Sequence, residues 1–133
     1  MNGQAVGIVG IGAMGMGIAR NPLDRGYVVH VRDVRPEAEA EARAAGATVH
    51  ASPASLARAC GVVLTVVVDD AQTEAVLFGA DGIAHGLATD AVAVLHSTLS
   101  PDFVAGAAER LAARGLAMVD APISGGPARA RDG

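Results

Sequence analysis

The sequence of 133 residues predicts an α/β fold, a doubly wound and mainly parallel sheet of about six strands with helices on both faces. Short apolar runs rich in Val and Ile alternate along the chain with longer Ala-rich segments that have helical spacing. Apolar residues make up 51% of the chain, which is ample for a buried core, and no Pro-, Gly- or Ser-rich linker divides it. We therefore expect one domain over residues 1–133.

The predicted elements follow this alternation in chain order. The apolar runs predict strands over residues 5–9, 28–32, 48–50, 62–67, 91–95 and 116–120. The Ala-rich segments predict helices over residues 13–25, 36–45, 53–60, 71–77 and 101–114. Ser52 and Ser100 each precede a proline that suits the first turn of a helix, which supports two of these starts. Pro22 should kink the first helix or end it early, because its ring disturbs the preceding turn and it has no N–H.

The composition argues against several classes of partner. The net charge is -4, no run of basic residues occurs, and the only aromatic residues are Tyr27, Phe78 and Phe103. We therefore expect no nucleic-acid partner and no binding to an anionic membrane. The longest apolar segment, residues 62–68, is far shorter than the ~20 residues that span a bilayer. The N-terminal MNGQ lacks the basic residues of a signal peptide, and the single Cys60 fits a reducing, cytoplasmic setting. Small molecules are the expected partners.

A glycine motif stands where the first strand meets the first helix. Gly10, Gly12 and Gly15 form G-x-G-x-x-G in that context. The first glycine allows a tight turn, the second lets a pyrophosphate approach the backbone, and the third lets the helix pack closely on the strand. Free N–H groups at the helix start then face the phosphates. The motif predicts dinucleotide binding and makes the fold class Rossmann-type.

The end of the second strand bears on which dinucleotide binds. Asp33 lies about 20 residues beyond the glycines, where a carboxylate accepts bonds from the ribose hydroxyls and repels a 2′-phosphate. This favours NAD over NADP. Arg32 and Arg35 complicate the prediction, since either guanidinium could clamp a 2′-phosphate. We interpret both as solvated loop arginines.

Three segments resemble one enzyme family. Residues 8–19, IVGIGAMGMGIA, resemble the signature of the β-hydroxyacid dehydrogenases, the 3-hydroxyisobutyrate and 6-phosphogluconate dehydrogenase group, with Met14 as a particular mark. Residues 96–101, HSTLSP, resemble the stretch that touches the nicotinamide side, and residues 120–126, DAPISGG, resemble the substrate-binding motif. The departures are Ile18 for the usual methionine, Val67-Val68 for Leu-Pro, and Pro22 inside the first helix.

The resemblance implies a set of site residues and an activity, hydride transfer between a nicotinamide cofactor and a small 3-hydroxy acid. The implied cofactor-binding residues are Gly10, Ile11, Gly12, Ala13, Met14, Gly15, Asp33, Val67, Val68 and Thr98. Ser124, Gly125 and Gly126 are implied to hold the acid group of the substrate, and a hydroxyl with two unobstructed N–H groups suits a carboxylate. Composition alone favours an ordinary Ser-Gly-Gly loop for these three residues, and the resemblance reverses that interpretation. Asp33-Val34 resembles the NAD-using members of the family.

No catalytic residue is expected in this chain, because all ten basic residues are arginines and the family's acid/base is a lysine. By the resemblance, that lysine follows the nucleotide-binding domain, and an all-helical C-terminal domain completes the site and usually the dimer. We therefore expect a chain truncated before the last strands of its domain, inactive by itself, from an enzyme that forms a homo-oligomer. The alternatives are a semialdehyde or imine reductase of the same superfamily, or a non-catalytic nucleotide-binding module.

The remaining candidates favour structural roles. His30, His50, His85 and His96 show no spacing that places two on one helical face, so no metal site is expected. Cys60 is interpreted as a small buried hydrophobe. The pair Asp69-Asp70 is interpreted as the cap of the helix that follows.

Overall fold

The computed structural model describes residues 5–133, and the MNGQ segment considered above lies outside this range. Its strands form one sheet in the order β3-β2-β1-β4-β5-β6, and every neighbouring pair is parallel. The strands are β1 Val6–Val9, β2 Val29–Arg32, β3 Thr48–Val49, β4 Val62–Thr65, β5 Val92–Leu95 and β6 Ala117–Asp120. The predicted doubly wound α/β class is confirmed, and each predicted strand exists with ends that differ by one or two residues.

Helices connect the strands, as parallel pairing requires. They are α1 Ala13–Asp24, α2 Pro36–Ala44, α3 Pro53–Arg58, α4 Asp70–Phe78, α5 Pro101–Ala112 and α6 Gly126–Asp132, with a short 3₁₀ helix at Ile83–His85. Pro22 lies in the last turn of α1, which ends one residue before the predicted Arg25. The predicted caps are present, because the side chains of Ser52, Asp69 and Ser100 accept the N–H of the third residue after each.

Helix α6 and the 3₁₀ helix were not predicted. The seven residues of α6 include no buried residue, so its sequence carries no apolar periodicity. The helix is held against α1 by contacts distant in sequence. Asn21 Nδ2 donates to the carbonyl oxygen of Arg131 at 2.8 Å, and a Cβ on Gly17 would lie 2.7 Å from the carbonyl oxygen of Pro127. Gly17 is therefore a close-packing residue between two helices.

Two apolar clusters pack on opposite faces of the sheet, because successive strand side chains alternate. The cluster against α1 and α2 contains Ile8, Ile11, Met16, Ala19, Val29, Val31, Ala38, Ala42 and Ala47. The cluster against α3, α4 and α5 includes Val9, Leu56, Cys60, Val63, Leu77, Ile83, Leu95 and Leu111. Because both faces of the sheet are buried, the strands are continuous runs of apolar residues in the sequence. The prediction for Cys60 is confirmed, since it is 6% exposed.

The strand order fixes where a ligand can bind. Helix α1 leaves the carboxyl end of β1 toward one face, whereas β4, its other neighbour, leads to α4 on the opposite face. Such a reversal opens a crevice outside the carboxyl ends of the strands, where open α/β sheets bind ligands. The glycine motif lies at this reversal. Within residues 5–133, no helix has the length and apolar character needed to cross a membrane.

Candidate functional site

The turn that leaves β1 requires glycine at two of the motif positions. Gly10 has a φ of +96°, a left-handed conformation that disfavours side chains, and a Cβ there would overlap the carbonyl oxygen of Val66. Its N–H donates to the carbonyl oxygen of Arg32 at 3.0 Å. A Cβ on Gly15 would overlap the carbonyl oxygen of Gly10. Because these two glycines have no side chains, the start of α1 packs closely against the turn.

The turn does not require glycine at position 12. Its φ is -64°, which any residue adopts, and the nearest atom to a Cβ built there is Nη2 of Arg35 at 3.7 Å. The missing side chain leaves open space directly outside the first turn of α1. Among the side chains of residues 5–133, only that of Arg35 comes within 4 Å of this Cβ position, so the bare backbone fits a ligand that approaches it.

The start of α1 is also without a cap. Gly12 offers no capping side chain and the first turn contains no acidic residue, whereas α3, α4 and α5 each receive a side-chain cap. The first N–H groups of a helix have no intrahelical partner, and the macrodipole adds positive potential there. The donors and the space beside Gly12 together fit a pyrophosphate.

Asp33 joins the glycine turn to the loop after β2. Its side chain is 8% exposed; Oδ2 accepts the N–H of Ile11 at 2.8 Å, and Oδ1 accepts the N–H of Arg35 at 2.9 Å. Burial alone would raise the pKa of the Asp33 carboxyl, but these two N–H donors and the Arg35 guanidinium outweigh burial and lower that pKa. The carboxylate is therefore charged and held in place at neutral pH.

Arg35 is exposed, as interpreted, whereas Arg32 is the last residue of β2 and its side chain is only 27% exposed, and both guanidinium groups lie near carboxylates. Nε of Arg35 lies 3.2 Å from Oδ1 of Asp33, and Nη1 of Arg32 lies 3.8 Å from Oε2 of Glu39 on α2. That Glu39 oxygen is buried and has no hydrogen-bond partner among the described residues, which leaves Arg32 as its charge partner. The two guanidinium groups therefore face different carboxylates.

Some of the predicted cofactor-binding residues line a cavity of about 630 Å³. The predicted residues that line it are Gly10, Gly12, Asp33, Val67 and Val68. Val68 is 78% exposed beyond the end of β4, and Asp33 lines the same cavity as this valine pair. Ile11 and Ala13 line the neighbouring groove of about 590 Å³ between α1, α2 and α6.

The predicted residues that do not line that cavity are Ile11, Ala13, Met14, Gly15, Thr98, Ser124, Gly125 and Gly126. Met14 and Gly15 lie in the first turn of α1. Thr98 is exposed in the loop after β5, and Ser124 and Gly125 are exposed after β6. Gly125 and Gly126 have φ values of +109° and +81° and lie directly before or at the start of α6. The structure thus places the cofactor set and the substrate set at the same edge of the sheet without joining them into one pocket.

The NAD binding domain of 6-phosphogluconate dehydrogenase is the family that matches this sequence, over residues 5–133. The chain belongs to this family. The resemblance given by the glycine, HSTLSP and DAPISGG segments is confirmed, and a nicotinamide dinucleotide is the cofactor class of this NAD-binding domain.

Proteins similar to this NAD-binding domain include dehydrogenases and reductases. An L-threonate dehydrogenase of Cupriavidus necator is 47% identical over 128 residues, which cover 96% of this chain and 43% of the relative. The crystal structure of a 3-hydroxyisobutyrate dehydrogenase from Salmonella typhimurium matches with a TM-score of 0.90 and 38% identity, over 97% of this chain and 45% of that one. The structure of Psf3 in complex with NADP+ and 2-OPP matches with a TM-score of 0.86 and 27% identity, over 92% of this chain and 43% of that one. The chain therefore spans less than half the length of these relatives.

Residues that the sequence reasoning missed tie the loops of this NAD-binding domain together. Ser97 is buried and its Oγ donates to the carbonyl oxygen of Val67 at 2.5 Å, which joins the loops after β5 and β4. Asp70 accepts the N–H and hydroxyl of Ser100 at 3.1 and 2.7 Å. His96 Nδ1 donates to the carbonyl oxygen of Ala121 at 2.7 Å, at the entry to the DAPISGG segment. His96, Ser97 and Ser100 all lie inside HSTLSP, so the motif itself was the available signal.

A histidine pair lies away from the cavity. His30 Nδ1 and His50 Nε2 are 2.6 Å apart, and His50 Nδ1 lies 2.8 Å from Oγ of Ser55. Helical spacing does not detect this pair, because one histidine is on β2 and the other follows β3. Burial, and then repulsion from His50, lower the pKa of His30, and burial lowers the pKa of His50. Within residues 5–133 no group of three or more His, Cys, Asp or Glu side chains is arranged to hold a metal ion.

Proposed function

We propose that the whole protein is an NAD-dependent dehydrogenase of small 3-hydroxy acids of the 3-hydroxyisobutyrate kind, and that this chain supplies its cofactor-binding domain. The observation that carries the proposal is the open backbone at Gly12, beside an uncapped helix start and a charged Asp33. When bound, the nicotinamide supplies the hydride chemistry. The residues of this chain bind and orient it.

The proposed roles follow from position. Gly12, Ala13 and Met14 offer backbone N–H groups to the pyrophosphate, while Gly10 and Gly15 shape the turn. Val67 and Val68 line the nucleoside cavity. Thr98, at the same sheet edge, contacts the nicotinamide side.

We propose NAD as the preferred cofactor and NADP as the weaker one. Asp33 is a buried carboxylate at the end of β2, where it accepts from ribose hydroxyls and repels a 2′-phosphate. The test is a comparison of dissociation constants for NADH and NADPH by isothermal titration calorimetry. Asp33→Asn should reduce the advantage of NADH, because the amide no longer repels a phosphate. Tighter binding of NADPH than NADH to the unaltered chain would reject this use of Asp33.

For the substrate, we propose that Ser124, Gly125 and Gly126 hold the acid group. Gly125 and Gly126 are consecutive left-handed glycines next to the exposed Ser124, and two N–H groups with a hydroxyl are donors that suit a carboxylate. Two similar proteins are named as hydroxy-acid dehydrogenases, one for L-threonate and one for 3-hydroxyisobutyrate. In the whole enzyme, Ser124→Ala should raise the KM for the acid while Thr89→Ala, which removes an exposed hydroxyl elsewhere, leaves it unchanged.

The proton transfer requires a group outside this chain. We propose that a lysine in the remainder of the enzyme exchanges the proton with the substrate hydroxyl, because burial can lower a lysine pKa toward neutrality and this chain contains none. The same remainder is proposed to complete the dimer, in a reducing cytoplasm. The isolated 133-residue chain should therefore bind cofactor without turnover.

The experiment that tests the proposal is to sequence the source gene beyond the codon for Gly133 and to assay the full product. A continuing frame with a lysine-bearing helix, and NAD reduction with 3-hydroxyisobutyrate or L-threonate, supports it. Reduction of an aldehyde or imine alone would select the reductase alternative. A stop codon after Gly133, with NAD binding and no turnover, would select the non-catalytic module instead.

A further inference from the structure

The DAPISGG segment, residues 120–126, leaves the sheet at the point where β5 and β6 separate. The last paired residues of the two strands are Leu95 and Asp120. The N–H of Ala121 still donates to the carbonyl oxygen of Leu95 at 2.8 Å. Within residues 5–133, however, no backbone N–H donates to the carbonyl oxygen of Ala121, and Ala121 is a partly buried residue. This acceptor therefore needs a donor from a side chain.

His96, the first residue after β5, supplies that donor. Its Nδ1 lies 2.7 Å from the carbonyl oxygen of Ala121, and because a carbonyl oxygen only accepts, Nδ1 carries the proton. The backbone carbonyl oxygen of His96 also accepts the N–H of Ile123 at 3.4 Å, a longer and weaker bond. Between these two contacts lies Pro122, which has no N–H. His96 therefore holds the chain on both sides of the proline.

Residues 124–126, proposed to bind the acid, lie between two points of attachment. The chain before them is bonded to His96. The chain after them packs on α1, where a Cβ on Gly17 would lie 2.7 Å from the carbonyl oxygen of Pro127. The first two of the three residues are exposed, so packing contributes little to their position. Their placement therefore depends on the two attachments.

We propose that His96 is a positioning residue of the acid-binding segment, an inference that rests on the proposed function. Groups that bind a ligand must lie within about 0.5 Å of their productive positions. The imidazole fixes the Ala121 carbonyl group, and with it the direction in which the chain runs to Ser124. Without the Nδ1 donor that carbonyl group loses its partner, the segment shifts, and the carboxylate of the substrate binds less tightly.

The cofactor side should be affected far less. His96 is not among the residues that line the cavity of about 630 Å³. The neighbouring Ser97 donates to the carbonyl oxygen of Val67 through its own hydroxyl, so the loop after β5 stays attached to the loop after β4 when the imidazole is removed. Removing the imidazole should therefore weaken the binding of the acid and spare the binding of NAD.

The test is steady-state kinetics of His96→Leu in the full product of the source gene, with NAD and whichever of 3-hydroxyisobutyrate and L-threonate the enzyme oxidises. Leucine fills much of the space of the imidazole but has no donor. The KM for the acid should rise about fivefold to thirtyfold, because an acceptor is left without its hydrogen bond. The KM for NAD should change by less than about twofold, because the cofactor contacts are unaltered.

Two further variants separate this role from a general effect on the fold. His96→Asn is the conservative variant, because the asparagine amide nitrogen also donates at about the position of Nδ1, and it should keep the KM for the acid within about threefold of the unaltered enzyme. His85→Leu, at an exposed histidine of the 3₁₀ helix, is the matched control and should change neither KM. Thermal unfolding shows whether each variant is folded. His96→Ala, which also lacks the donor, replaces His96→Leu if leucine prevents folding.

The outcomes distinguish this inference from the proposed function. If the unaltered enzyme oxidises the acid but the folded His96→Leu variant keeps its KM for the acid, or raises the KM for NAD as much, the role of His96 is overturned and the proposed function stands. The same conclusion follows if His96→Asn is as impaired as His96→Leu. If the unaltered enzyme oxidises neither acid, both proposals are overturned.

Discussion

Replacing Gly12 with alanine tests whether glycine is required at this position for cofactor binding or for folding. A Cβ at this position meets no protein atom closer than Nη2 of Arg35 at 3.7 Å, and the φ of -64° suits alanine. Alanine is a poorer N-cap than glycine, which lowers stability, but it also restricts the unfolded chain, which raises stability. Because the two effects oppose each other, the free energy of unfolding should change by less than about 1 kcal/mol. The added methyl group projects into the space proposed for the pyrophosphate.

The expected loss of NADH affinity follows from the bonds that the methyl group blocks. A hydrogen bond to a charged group contributes about 1.5–3 kcal/mol, so blocking one N–H contact to phosphate should weaken binding roughly tenfold to hundredfold. Isothermal titration calorimetry with NADH and thermal unfolding measure the two effects separately. Gly106→Ala is the matched control, because a Cβ there meets nothing within 4 Å and the residue lies in α5, away from the cavity. Unchanged NADH affinity in Gly12→Ala would refute the assignment of this turn as the pyrophosphate site.

Three other predictions concern stability and reactivity. Gly15→Ala should destabilise the protein by about 1–3 kcal/mol in chemical denaturation, since its Cβ overlaps the carbonyl oxygen of Gly10, and unchanged stability would contradict the packing described. Because the pKa values of His30 and His50 are lowered from 6.5, the unfolded state binds more protons below that pH, so stability should fall as the pH drops through 6.5. His50→Gln should flatten this pH dependence, whereas the control His85→Gln, at an exposed position, should leave it in place. The measurement is the denaturation midpoint at pH values from about 7.5 to about 5, which lie on both sides of 6.5. Burial raises the pKa of the Cys60 thiol to about 12, so iodoacetamide should leave it unmodified in the folded protein and alkylate it in denaturant, and rapid native alkylation would contradict its burial.

The fold could be predicted because its signals are local. Parallel strands buried on both faces are apolar throughout, and each crossover helix has its own spacing and cap, as at Ser52 and Ser100. Helix α6 could not be predicted, because its position depends on contact with Gly17 and Asn21 of α1, more than 100 residues earlier. Propensity and periodicity do not report such contacts.

The candidate site was predicted to the extent that backbone geometry determines it. Gly10 and Gly15 are required by the turn, and Asp33 lies at the end of β2 as its spacing from the glycines indicated. The partner of Arg35 was missed, because a guanidinium two residues from a carboxylate can point to solvent or fold back, and only the surrounding loops decide. The contact of His30 with His50 depends on the pairing of β2 with β3, which a search for helical spacing does not test.

The most direct test of the central claim is an NMR titration of the ¹⁵N-labelled chain with NADH, which reports on each backbone N–H. The amides of Gly12, Ala13 and Met14 should shift most, together with those of Asp33 and Val68 across the cavity. Shifts confined to other surfaces, or no saturable shift at these amides, would show that the uncapped start of α1 is not where this protein binds a dinucleotide.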